Sequence, residues 1–103
     1  METLEQIKIL EHIVEFGLDD EIVNQTLNKL ISYQIQKQQR DFQEVQAKLT
    51  SFETQYGLGS DEFYEQFHQG QLGDNEDFFE WDVLVHIRNR IRQRMALLNT
   101  KWK

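Results

Sequence analysis

The 103-residue chain has no cysteine and no proline, and only five glycines. Without cysteine there is no disulfide framework and no thiolate zinc site. The glycines fall at three places, too little punctuation for the turns of a β-sheet. No apolar run approaches the ~18 residues of a membrane span. The N-terminus is glutamate-rich instead of basic, unlike a signal region. A cytoplasmic protein with no membrane contact is the expectation. Serine occurs only at Ser32, Ser51 and Ser60, and none sits in a Gly-x-Ser-x-Gly elbow. Gly57-Leu58-Gly59 and Gly70-Gln71-Leu72-Gly73 lack the strand context and the lysine of a phosphate-binding loop. No enzyme activity and no cofactor are expected.

Charge is abundant and unevenly placed. The net charge is −7. Residues 1–82 hold all eighteen acids and five of the eleven basic residues. Residues 83–103 hold the other six, Arg88, Arg90, Arg92, Arg94, Lys101 and Lys103, and no acid. Such asymmetry bears on partners and solubility, not on fold. From Glu53 to Asp82 there are nine acids and no lysine or arginine. Several suit helix starts, but nine exceed what two helix starts require.

Spacing predicts an all-α fold of four helices in a single domain. The first covers about 3–16, with Leu4, Ile7, Leu10 and Val14 in one stripe that Ile9, Ile13 and Phe16 widen. Gly17 ends it as a left-handed cap. Asp19 is the expected N-cap of a long helix over 19–56. From Phe42 through Val45, Leu49 and Phe52 to Tyr56 its apolar steps are three, four, three, four, a coiled-coil seam. At 1.5 Å per residue it would extend about 57 Å, beyond the ~13 Å radius of gyration of a 100-residue globule. Another helix, a second chain, or both must therefore run along it. Gln38 falls on the seam, either fixing register or marking a solvated waist. Ser60 caps a short helix over 61–69, and Asp74 caps a fourth over 75–98 that is long enough to fold back. The expected architecture is a long helical hairpin or coiled-coil-like bundle completed by homodimerisation. Phe52, Tyr56, Phe63, Tyr64, Phe67, Phe78, Phe79 and Trp81 cluster where the short and fourth helices meet, as the thickest core or as a partner pocket.

Two patterns hint at chemistry. Glu65-Gln66-Phe67-His68 matches the Glu-x-x-His of helical di-iron sites, which need two such motifs and two further glutamates. One copy per chain leaves a metal site only for paired chains, and none is assigned. Asp82 and His86 are spaced to pair across one helical turn. The arginines Arg88, Arg90, Arg92 and Arg94 flank the apolar stripe of the last helix. With Lys101, Trp102 and Lys103 they either touch phosphates or pair with acids of the long helix or a mate.

The block Phe52-x-x-x-Tyr56-Gly57-Leu58-x-Ser60-x-Glu62-Phe63-x-x-x-Phe67-x-x-Gly70-x-Leu72-Gly73-Asp74-x-x-Asp77-Phe78-x-Glu80-Trp81 resembles a family of small acidic prokaryotic helical proteins regarded as antitoxin-like. Thr26-Leu27-x-Lys29-Leu30-Ile31-x-Tyr33 fits the same pattern, and Gln71 departs from it where an acid is common. The resemblance implies the neutralising half of a toxin–antitoxin pair and no catalytic residue. Gly70, Leu72, Gly73, Asp74, Asp77, Phe78 and Trp81 would be its signature positions. The reading is therefore a non-enzymatic interaction module that masks a basic protein. Tyr56, Asp61, Glu62, Phe63, Phe67 and the seven signature positions are its candidate contact residues. The alternatives are a nucleic-acid-contacting regulator using Arg88, Arg90, Arg92 and Arg94, and a structural adaptor with no separate activity.

Overall fold

The computed structural model describes the backbone of residues 1–102 and the side chains of residues 1–98. Lys101, Trp102 and Lys103, offered above as phosphate contacts, lie outside the described side chains. Among the described residues there are four helices and no strand: α1 (Thr3–Glu15), α2 (Glu21–Tyr56), α3 (Ser60–His68) and α4 (Glu76–Trp102). None is long and apolar enough to cross a membrane. The chain divides into two compact units, Met1–Gln34 and Ile35–Lys103.

The helix starts follow from local chemistry, with three shifts from expectation, and α4 runs four residues past the expected end at 98. Asp20, not Asp19, caps α2: its carboxylate accepts the Val23 N–H at 3.0 Å. Asn75, not Asp74, caps α4, its amide oxygen accepting the Asp77 N–H at 2.9 Å. Ser60 is the first residue of α3 instead of its cap, and its N–H donates to the Glu53 carboxylate at 2.9 Å. A carboxylate from the preceding helix thus replaces the local cap, which frees the Ser60 hydroxyl for the core. The glycine stops are as expected. Gly17 and Gly57 take φ of 74° and 64°, a left-handed region that a Cβ disfavours. The next N–H in each case, of Leu18 and Leu58, reaches back to the carbonyls of Ile13 and Glu53.

In the unit Met1–Gln34, α1 and the first turns of α2 form a pair without an interior. No residue of α1 is buried. Leu10, Ile13, Val23, Leu27 and Ile31 are only half-buried. A shallow apolar groove runs between Ile7, Leu10, Val14, Leu27, Leu30 and Ile31.

The unit Ile35–Lys103 holds the core. Leu49, Phe63, Trp81, Leu84 and Val85 are buried together. The series of contacts from α2 to α4 runs in opposite directions along the two helices. Tyr56 meets Phe78, Phe52 meets Trp81, the Arg92 guanidinium lies over Phe42, and Ile35 and Gln39 share a small hollow with Met95 and Leu98. The last helix therefore folds back along the second half of α2 within one chain. Val45 and Phe52 pack on the core from the predicted seam, because positions three and four apart fall on one helix face.

Gln38 is 8% exposed and its amide oxygen has no hydrogen-bond partner among the described residues. Of the two readings of Gln38, the solvated waist does not hold: a polar group sits inside. An unpaired buried acceptor costs about 1–3 kcal/mol. Gln38→Met, of similar length, is expected to raise stability by about 1 kcal/mol in urea unfolding. A lower midpoint would mean that the amide oxygen has a partner that this single chain does not supply.

Candidate functional site

The candidate contact residues gather where α3 and its flanking turns lie on α4, but they divide by depth. Phe63 and Trp81 are both 0% exposed. The two rings stack at 3.9 Å between centroids and 4° between planes. Trp81 also stacks on Phe52 at 5.5 Å, and its indole N–H donates to the Ser60 hydroxyl at 3.0 Å. A buried indole needs such an acceptor. These two residues are the core of the unit, and their place among the surface contacts is corrected. Tyr56, Phe67, Leu72, Asp77 and Phe78 are half-buried, whereas Asp61, Glu62, Gly70, Gly73 and Asp74 are exposed. What this region offers a partner is thus mainly acidic. Glu65, Glu76 and Glu80 add to that surface, with Phe79 as its apolar element.

Several of the nine acids have inward tasks. Glu53 holds the start of α3. Asp77 accepts the Tyr56 hydroxyl at 2.5 Å, and Asn75 donates to the same phenol oxygen at 3.3 Å. Since the Asn75 side chain also accepts the Asp77 backbone N–H, the three residues close a small ring that ties the end of α2 to the start of α4. The hydrogen bond to Asp77, then burial and the Asp77 charge, raise the Tyr56 phenol above its ordinary value of 10.0.

The arginines are not one basic face. Arg88 is buried, and its guanidinium donates to Asp61 at 2.6 Å and to Asn89 at 3.1 Å. Arg88 is therefore corrected from a phosphate contact to an internal ion pair, and its acid lies on α3, not on the long helix. The pair is lopsided, with side chains 5% and 80% exposed, so water screens it from the Asp61 side. Arg90, Arg92 and Arg94 remain exposed.

A cluster that the sequence showed only in halves lies at the far end of α3. His68 Nε2 is 2.7 Å from Asp82 Oδ1, and His86 Nε2 is 3.7 Å from the same oxygen. The Tyr64 ring flanks both imidazoles, at 4.2 Å and 5.4 Å between centroids. The i, i+4 spacing of Asp82 and His86 was legible. The arrival of His68 was not, because it depends on where α3 docks. Glu65, the expected companion of His68, does not belong to the cluster.

The phenol gives a direct check on the ring at the α2–α4 junction. Below about pH 10 the unfolded and folded phenols both hold their protons, and this contribution to stability is fully present. As pH rises, the unfolded chain releases its proton first, so the contribution is lost through the folded value. Absorbance titration at 295 nm is expected to show late ionisation of Tyr56. Asp77→Asn is expected to bring it back toward the ordinary range by removing the acceptor charge. An unchanged late transition in that variant would reject the assignment.

No protein-family model, no curated protein and no solved structure matches the chain.

Proposed function

We propose that the protein is a non-enzymatic interaction module that pairs with a second copy of itself through Met1–Gln34 and presents the acidic α3–α4 surface to a basic protein. The observation that carries this reading is the uncovered apolar face of the N-terminal unit. Ten large apolar side chains of residues 1–34 are exposed, among them Ile7 at 51% and Leu30 at 55%. Leaving one such side chain in water forgoes about 1.5–3 kcal/mol. Contiguous faces of this kind mark interaction sites on soluble proteins.

A second copy is the occupant that suits the face best. Its surface is apolar at the centre, and an isologous pairing sets the same groove against itself. The rim opposes it: residues 1–34 carry seven acids and two lysines, so the two copies repel there and the apolar centre has to outweigh that repulsion. A basic protein instead suits Glu62, Glu65, Glu76 and Glu80, where opposite charge speeds encounter. The antitoxin-like role implied by the Phe52–Trp81 motif is the form of this second interaction that we favour. The dimer and any coiled-coil pairing of the long helix are part of the same proposal.

Light scattering at micromolar concentration is expected to give twice the chain mass. Ile7→Glu with Leu30→Glu, at sites already open to solvent, is expected to give the single mass with helicity retained. Added salt is expected to strengthen the pairing, because it screens the like charges of the two copies. A single mass for the unaltered protein would sink the dimer. The acidic-surface reading is checked separately, by co-expression with the basic product of a neighbouring gene. Complex formation that survives Glu62→Gln, Glu65→Gln, Glu76→Gln and Glu80→Gln together would remove that surface from the interaction.

A further inference from the structure

The geometry points to a divalent transition-metal site formed by His68, Asp82 and His86, of the kind that takes zinc. One ligand comes from the last residue of α3 and two from successive turns of α4. The candidate ligand atoms all lie within 4.8 Å of one another. Ligands placed tetrahedrally at 2.0–2.1 Å around zinc stand about 3.3 Å apart. The two measured separations from the Asp82 oxygen, 2.7 Å and 3.7 Å, bracket that distance. No pair has to close by more than roughly 1.5 Å to meet it. Both imidazoles are about half exposed, at 45% and 50%, and are free to make that adjustment, while Asp82 is held at 19% between them.

The contacts of the cluster leave room for a cation. His68 is within hydrogen-bond reach of Asp82, but His86 Nε2 at 3.7 Å is not. Two ring nitrogens therefore face one carboxylate oxygen, and only one of them bonds to it. A cation at the centre would take both nitrogens and the carboxylate at once. Imidazole with carboxylate is a borderline donor set that suits zinc, cobalt, nickel and copper. Magnesium and calcium prefer sites built of oxygen alone. Three protein ligands leave a fourth position for water. The Tyr64 ring supplies an apolar wall beside both histidines, and an apolar surround limits solvent access to a metal site.

Such a site would fasten the end of α3 to the middle of α4 across the turn at Gly70–Gly73. It involves neither the N-terminal face nor the acidic contact residues of the proposed function, and it stands or falls apart from them.

The test uses the untagged full chain and zinc chloride alone. Calorimetric titration is expected to show one zinc per chain. At a hundredfold excess over Kd the melting temperature is expected to rise by at least ~5 °C. His68→Gln and His86→Gln are each expected to weaken binding at least tenfold, and together to abolish it. His12→Gln is expected to leave binding unchanged, since that residue lies on α1. Magnesium and calcium are expected to give no shift. No stoichiometric uptake by the unaltered chain would overturn the proposal. So would equal uptake by the double variant, loss of binding in His12→Gln, or an equal response to magnesium.

Discussion

The buried indole of Trp81 is the contact on which the Ile35–Lys103 unit depends. It joins three helices at once, by stacking on Phe52 of α2 and Phe63 of α3 and by donating to Ser60. Each partner is placed by something simpler. Phe52 falls on the seam by helical spacing. Phe63 is three residues into α3, and Ser60 is free to accept the indole because Glu53 holds its backbone N–H. Filling a core with one large aromatic is effective in a chain this short, where little apolar surface can be buried overall. The same arrangement explains why Phe63 and Trp81 are unavailable to a partner.

The two units answer the same shortage differently. One wraps its apolar surface around Trp81. The other, built from α1 and the first turns of α2, has apolar residues on both elements but no third layer to close them. Two helices alone cannot enclose a side chain from every direction, so the stripe Leu4, Ile7, Leu10 and Val14 remains open or half-open. This is a property of the element count, not of poor sequence design.

The helices were legible in the sequence because they rest on local signals. Glycine stops, acidic starts and three-four spacing are all read within a few residues. Ends moved by a residue or two where two candidates competed, as between Asp19 and Asp20 and between Asp74 and Asn75. What was not legible is whatever depends on docking. The depth of Arg88 is one case: on a helix wheel it looks like its neighbours, and only α3 brings Asp61 to it. Gln38 is another, since its spacing placed it on the seam but could not say whether the seam was wet. The His68–Asp82–His86 cluster is a third, with two members visible and the third supplied by tertiary packing. The groove of the N-terminal unit was foreshadowed by the width of its stripe, whereas the absence of any buried residue on α1 was not.

The side-chain bonds that tie α3 and α4 into the core all fall within one short stretch of the chain. Tyr56–Asp77 and Ser60–Trp81 are 21 positions apart, Asp61–Arg88 27 and His68–Asp82 14. Closing loops of this length loses little more entropy than closing much shorter ones, because the loss grows only with the logarithm of length. The segment from Tyr56 to Arg88 thus carries both ends of every one of these ties, and the entropy lost in closing them changes little with their spacing.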